Sequence, residues 1–256
     1  RQNASVRPTR SKQVDYPTSN GTVSASWLSE GTAASDTQST DPYGNVSVTL
    51  QGMSAQVTLS HLLGATAEIP IEEDVRADMV TQFEYAEGAA FVDGDGVGKP
   101  AGVVTRVITD ASQIQTSGHA TEIDDIFKVK DLTTKVKDGY RRRGKFYMNF
   151  TTWNALGDLV DGGSRPYLNV GNQSLPDDMR LWGYPVVILP DMDDIGASAY
   201  PVLFGDMRFY RIHDLPETLL IRNPYSSPPN VTLSGFRWVG GNVLLTEAFS
   251  VLKVSA

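Results

Sequence analysis

The densest run of chemistry-bearing residues is Asp93-Gly94-Asp95-Gly96-Val97-Gly98-Lys99-Pro100. A phosphate-binding loop needs Gly-x-x-x-x-Gly-Lys-Ser/Thr between a strand and a helix. Gly98-Lys99 is present, but Asp93 takes the first glycine position and Pro100 the hydroxyl position, and a helical pattern precedes the turn. A calcium loop starting at Asp93 would put Gly98 sixth, yet Val97 falls on a ligand position and Val104 replaces the closing glutamate. Gly94, Asp95, Gly96 and Gly98 therefore read as a structural turn, with at least one of Gly94 and Gly96 at positive φ.

The other candidates are thinner. His61, His119 and His213 show no helical i, i+4 pair and no glutamate at metal-ligand spacing. Gly162-Gly163-Ser164-Arg165-Pro166 lacks the last glycine of a nucleophile elbow. Asp191, Asp193 and Asp194 read as a solvated turn. The block Lys128–Lys145 holds eight basic residues against Asp131 and Asp138, with Arg141-Arg142-Arg143 as the best phosphate-facing group, but an overall charge of −8 opposes a polyanion. With no cysteine there is no thiolate site. No catalytic residue, cofactor or metal is expected.

The elements around the turn carry more information than the turn itself. Pro70 suits a first helical position, Glu72, Glu73 and Asp74 fill the first turn, and Val75, Met79, Phe83, Ala86 and Ala90 form an apolar stripe. A helix over 70–92 would be about 33 Å long. Residues 1–22 read as a polar extended arm. Val23, Ala25 and Trp27 alternate with polar residues, 29–45 are small and polar, and Val46, Val48 and Leu50 resume the alternation. This pattern predicts a long hairpin with a polar tip, which needs a neighbour to lie on. Further on, Ile123–Val136 predicts a helix, Lys145–Asn149 a strand, and 152–160 a short helix capped by Thr151. From Tyr184 the texture is β, punctuated by proline and glycine. Helices and strands mix without βαβ alternation, so the class is α+β.

The 256 residues, 40% hydrophobic, suffice for a sizeable core. No apolar run approaches the roughly 20 residues of a membrane span, so no membrane partner is expected. Charge is blocked: thirteen acids and a single Arg76 lie between Gln13 and Gly98, while Arg1–Lys12 holds four basic residues and no acid. Opposed blocks suit a chain whose copies steer onto one another.

In their order and spacing, several segments resemble the major capsid proteins of tailed bacteriophages, the Hong Kong 97 or Johnson fold. They are Ala89-Ala90-Phe91 with Gly94-Asp95-Gly96, Lys99-Pro100-Ala101-Gly102-Val103, Phe146–Asn149 with Thr152-Trp153, and Trp182–Val186, then Phe204-Gly205-Asp206, Arg237–Gly241 and Ala248–Leu252. The resemblance implies a phage major capsid fold with an N-terminal arm (1–26), an extended hairpin loop (27–62), a peripheral domain with a long spine helix (63–103), an axial domain (104–225) and a return to the peripheral domain (226–256).

The same resemblance implies a structural protein that self-assembles, as pentamers and hexamers, into an icosahedral shell around double-stranded DNA. Packaged DNA would be a weak, non-specific partner. A scaffolding segment, a maturation protease and a portal would act during assembly, and a decoration protein could bind outside. The shell would form in the host cytoplasm and reside in the virion, and a start at Arg1 fits removal of an N-terminal segment. The type member cross-links a loop lysine to a neighbour's asparagine; here no lysine lies between Gln13 and Gly98, so assembly is expected to be non-covalent. The assembly interface is expected at Arg1, Arg7 and Arg10 of the arm and Trp27, Leu28, Glu30, Asp36 and Asp41 of the hairpin. The acidic helix is expected to face the interior. Two alternatives stand beside this reading: a nanocompartment shell of the same fold, and a soluble β-rich enzyme or glycan-binding module.

Overall fold

The computed structural model describes residues 1–19, 27, 30, 43–60, 62, 71–160 and 179–255. Along the chain, β1 (Ser5–Pro8) and β2 (Gln13–Ser19) form the arm, followed by β3 (Tyr43–Thr49) and β4 (Gln51–Leu59). Helix α1 (Ile71–Asp93) runs into the glycine turn and the short α2 (Val103–Val107). Then come β5 (Ile114–Thr116), α3 (Ile126–Lys135), α4 (Asp138–Arg141), β6 (Lys145–Met148) and α5 (Phe150–Gly157). The rest is β: β7 (Arg180–Leu181), β8 (Tyr184–Ile188), β9 (Val202–Gly205), β10 (Tyr210–Asp214), β11 (Leu219–Ser227), β12 (Asn230–Val243) and β13 (Phe249–Lys253).

Two sheets organise these elements. A six-stranded sheet has the order β5-β13-β9-β6-β8-β7. It is covered on both faces, so its strands read as continuous apolar runs. Phe146 and Met148 of β6, with Val202 and Phe204 of β9, face a core shared with Leu132 of α3 and Trp153 of α5. The intervening Tyr147 and Leu203 face a second core with Phe91, Val103, Tyr210 and Ile212. Period-two alternation thus divides one strand between two cores.

The second sheet is built on β12. Val239 pairs with Asp214 of β10 on one side and Gln51 of β4 on the other. β11 lies beyond β10 along β12, and β1 adds to β10 in parallel. Helix α1 packs on this sheet, with Phe83 against Gly235 of β12. A separate two-stranded ribbon pairs β2 with β3, from Gln13 opposite Thr49 to Ser19 opposite Tyr43.

Several expectations shift. The arm is paired within the chain, β1 with β10 and β2 with β3, while Val23 and Ala25 of the strand expected around Trp27 lie outside the described residues. A local alternation marks a strand but cannot name its partner. Helix α1 ends one residue beyond the expected Val92, and its buried row is Met79, Phe83, Glu87 and Phe91, with Ala86 exposed. The cap of α5 is Asn149, whose Oδ1 accepts from the Thr152 amide at 2.7 Å, rather than Thr151. Sheet membership also crosses the expected boundary at 225/226. β10 and most of β11 join β12, while β13 joins the six-stranded sheet. Pro70, Leu28, Asp36, Asp41 and residues 162–166 lie outside the described residues. Among the described residues no helix is long and apolar enough to cross a membrane.

Candidate functional site

The glycine turn is a packing device. Gly96 and Gly98 sit at φ 80° and 68°, the left-handed region where a side chain is strained. Gly94 is needed for space instead: a Cβ there would lie 2.0 Å from the Pro100 carbonyl oxygen and 2.4 Å from that of Ala90. Asp95 Oδ1 accepts from the Val97 amide at 2.9 Å, which closes the turn without any ligand. The chain then docks on both neighbours, with the Ala101 amide donating to Gly241 of β12 and Tyr210 Oη of β10 donating to the Ala101 carbonyl.

The buried polar chemistry lies instead where the arm meets α1. Glu87 occupies the core row of the helix and is 2% exposed. Arg1 Nη2 lies 2.6 Å from its Oε2, and Arg237 Nε of β12 lies 2.7 Å from its Oε1. The second contact is an ion pair rather than a hydrogen bond, since neither atom has an aligned hydrogen-bond partner. Asp214 completes the cluster, accepting from Arg1 at 2.7 Å and lying 3.5 Å from Arg237. Burial pushes the Glu87 carboxyl above its ordinary range, against the downward pull of Arg1 and Arg237. Two guanidinium groups and two carboxylates thus compensate one another across the arm, α1, β10 and β12.

A second polar contact follows on the same sheet. His213 of β10 is buried and stacks on Tyr16 of β2, whose hydroxyl lies 2.9 Å from Nε2. Burial and the neighbouring Arg211 hold this imidazole below its usual pKa. Arg211 also lies over the Tyr16 ring at 5.5 Å, a cation–π contact.

The remaining candidates separate. His119 meets Glu122 and Asp124, with ligand atoms all within 4.8 Å, a grouping not expected from the sequence; all three are exposed. The acidic turn is structural: Asn149 donates to the Met192 and Asp193 carbonyls and to Asp194 Oδ1, and Asp193 accepts from the Tyr200 amide. In the basic block, Arg141 pairs with Asp138, Lys137 with Glu247, and Lys145 donates to Asn3. Arg142 and Arg143 are exposed. Of the expected interface residues, Arg1 is engaged within the chain, Arg7 and Arg10 are exposed, and Trp27 and Glu30 are exposed. The expected acidic inner wall loses Glu87 to Arg1, and Glu72 pairs with Arg222.

Glu87 is the residue the sequence reading missed. Its signal was local, an uninterrupted step of four through Met79, Phe83, Glu87 and Phe91; its partners are distant in sequence.

The buried polar groups described above tie one segment of the chain to another. Comparison with known proteins specifies the family. A model of the phage capsid family matches residues 1–254. The capsid of a native GTA particle is 30% identical, with a TM-score of 0.90 over 100% of this chain and 89% of that chain. A chain from Microbacterium phage Oxtober96 is 16% identical, with a TM-score of 0.72 over 99% of this chain and 90% of that one. A chain from Mycobacterium phage Bobi is 13% identical, with a TM-score of 0.70 over 100% and 89%. These two share the fold. No curated protein matches. The chain belongs to the phage capsid family. It is a structural major capsid protein located in the virion shell, and it is not an enzyme.

Proposed function

We propose that copies of this chain close, as pentamers and hexamers, into an icosahedral shell around double-stranded DNA, assembled in the host cytoplasm. The observation that carries this reading is the match along residues 1–254 together with the 30% identical capsid aligned over the whole chain. The peripheral domain comprises α1 with β4, β10, β11 and β12; the axial domain comprises the six-stranded sheet with α3 and α5. The ribbon of β2 and β3 continues into the extended loop, which reaches a neighbouring copy. There Trp27 and Leu28 supply apolar anchors, while Glu30, Asp36 and Asp41 meet a neighbour's Arg7 and Arg10. Exposed ion pairs add only about 0–1 kcal/mol each, so the apolar anchors carry most of the hold. A scaffolding segment, a maturation protease and a portal act during assembly, packaged DNA contacts the wall weakly and without sequence preference, and a decoration protein has room outside.

A second reading, the shell of a gene-transfer particle, draws support from the 30% and 29% identities to the capsids of native and empty GTA particles. DNA recovered from purified particles separates the two: one recurring genome for a phage, mixed fragments for a gene-transfer particle. Shell formation itself is tested by sedimentation and denaturing electrophoresis. Native material should run as megadalton particles and, boiled in detergent, as one band near 27.8 kDa. A stable monomer under all conditions overturns the shell; a ladder of covalent multimers overturns non-covalent assembly.

A further inference from the structure

The arm touches both sheets. β1 lies along β10, the Thr9 amide donates to the Asp214 carbonyl, and Arg211 donates to Ser5 Oγ at 2.6 Å. Asn3 turns the other way and accepts from Lys145 of β6, in the six-stranded sheet, at 2.8 Å. Beneath the arm is a cleft of about 100 Å³, roofed by Arg1, Asn3 and Ala4 and floored by Phe91, Tyr147 and Ile212. The first residues of the chain therefore lie across an apolar gap between the two layers.

We propose that residues 1–8 are a detachable strap: Arg1 latches them over this cleft, and loss of the latch frees the strap while both sheets stay folded. The strand itself is a weak hold, since β1 has four residues, pairs on one side only, and leaves Val6 41% exposed. The latch is stronger because of what it covers. With Arg1 in place, Glu87 and Asp214 face two guanidinium groups; with Arg1 withdrawn they share Arg237 alone. An uncompensated charge at a site as buried as Glu87 is heavily penalised. Lifting the strap also breaks the Asn3–Lys145 tie and opens Phe91 and Tyr147 to water. The chain thereby has two states that differ in one local element, a consequence of its own fold that does not depend on the shell reading.

The test uses the full chain at pH 7, with amide hydrogen exchange of residues 5–7 and ANS fluorescence as readouts, in Arg1→Gln, Glu87→Gln and the double variant. Arg1→Gln should speed exchange of residues 5–7 by about tenfold or more and raise ANS fluorescence, with β9 and β13 still protected. The double variant removes both partners, so its exchange should increase by clearly less than the product of the two single effects. Unchanged exchange in Arg1→Gln overturns the latch. Loss of protection in β9 and β13 in step with the arm overturns the strap, because the arm would then be an inseparable part of one cooperative fold. Should Glu87→Gln fail to fold, the Arg1→Gln result decides alone.

Discussion

In the six-stranded sheet, Phe146, Phe204, Leu203 and Phe249 are fully buried, and the aromatic rings of Phe146 and Phe204 sit 4.7 Å apart, with Tyr184 5.1 Å from Phe204. In the sheet built on β12 and the helix α1 packed on it, the buried set includes Glu87, His213 and Thr232, and β11 leaves Leu219, Leu220 and Ile221 between 41% and 48% exposed. One region is closed by apolar packing on both faces. The other adds a buried charge cluster and a buried histidine to its apolar core, and presents apolar surface outward. Apolar packing is non-directional and tolerates little lost volume, whereas a charge cluster demands particular partners and becomes costly when one is missing. The first suits a body that must stay rigid; the second suits a region that receives a segment, here the arm.

The contrast can be broken most forcefully in the apolar body. Phe204→Ala should cost about 3–5 kcal/mol by denaturant unfolding, because its ring meets Phe146 and Tyr184 and the cavity cannot refill from β-sheet neighbours on both sides. A loss below about 1 kcal/mol would mean that this body is as adaptable as the other. Next in size is the junction between the regions. Gly94→Val places a side chain against the backbone carbonyls of Ala90 and Pro100 and should cost on the order of 1–3 kcal/mol. A neutral melt would show that the turn can shift.

The smallest effect is a pH signature confined to the charged region. His213 is held below its ordinary value near 6.5, so the unfolded chain binds the proton first, and its contribution to stability is present above that value and is lost as pH falls below it. Glu87, held high, has the opposite sign: it takes a proton more readily when folded, which adds stability as pH falls through its folded pKa. In urea melts across pH 7 to 5, the wild type should lose stability toward acid, and His213→Phe should flatten that loss. An unchanged slope would remove His213 from the account.

Some of this was legible along the chain. The step-of-four rows gave α1 and α3 within a few residues of their observed ends, because helical periodicity is a local property. The run Lys145–Asn149 marked β6, and the β texture from Tyr184 onward covers β9, since strands buried on both faces are largely apolar. The glycine turn was legible as architecture for the same reason: Gly96 at positive φ is demanded by the backbone, whatever surrounds it. Capping is short-range too, yet the expected α5 cap, Thr151, lies two residues past Asn149, whose side chain holds the Thr152 amide.

The pairings were not legible. Alternation in Val46 and Val48 marked β3, yet Val23, Ala25 and Trp27 offered the same alternation as β2, and only the folded chain places Val14 and Tyr16 beside them. Arg1 read as a free cation for a neighbour's acids because its partners, Glu87 and Asp214, stand 86 and 213 residues away. The sequence by itself determined the three longer helices, about half of the strands, the turn and, through the order of its segments, the family. The tertiary structure alone decided that β10 and β12 share a sheet, that β13 leaves it, and that a buried glutamate meets two arginines. Periodicity and capping act over a few residues, whereas strand partners and charge compensation depend on which distant surfaces the chain brings within a few ångströms of each other.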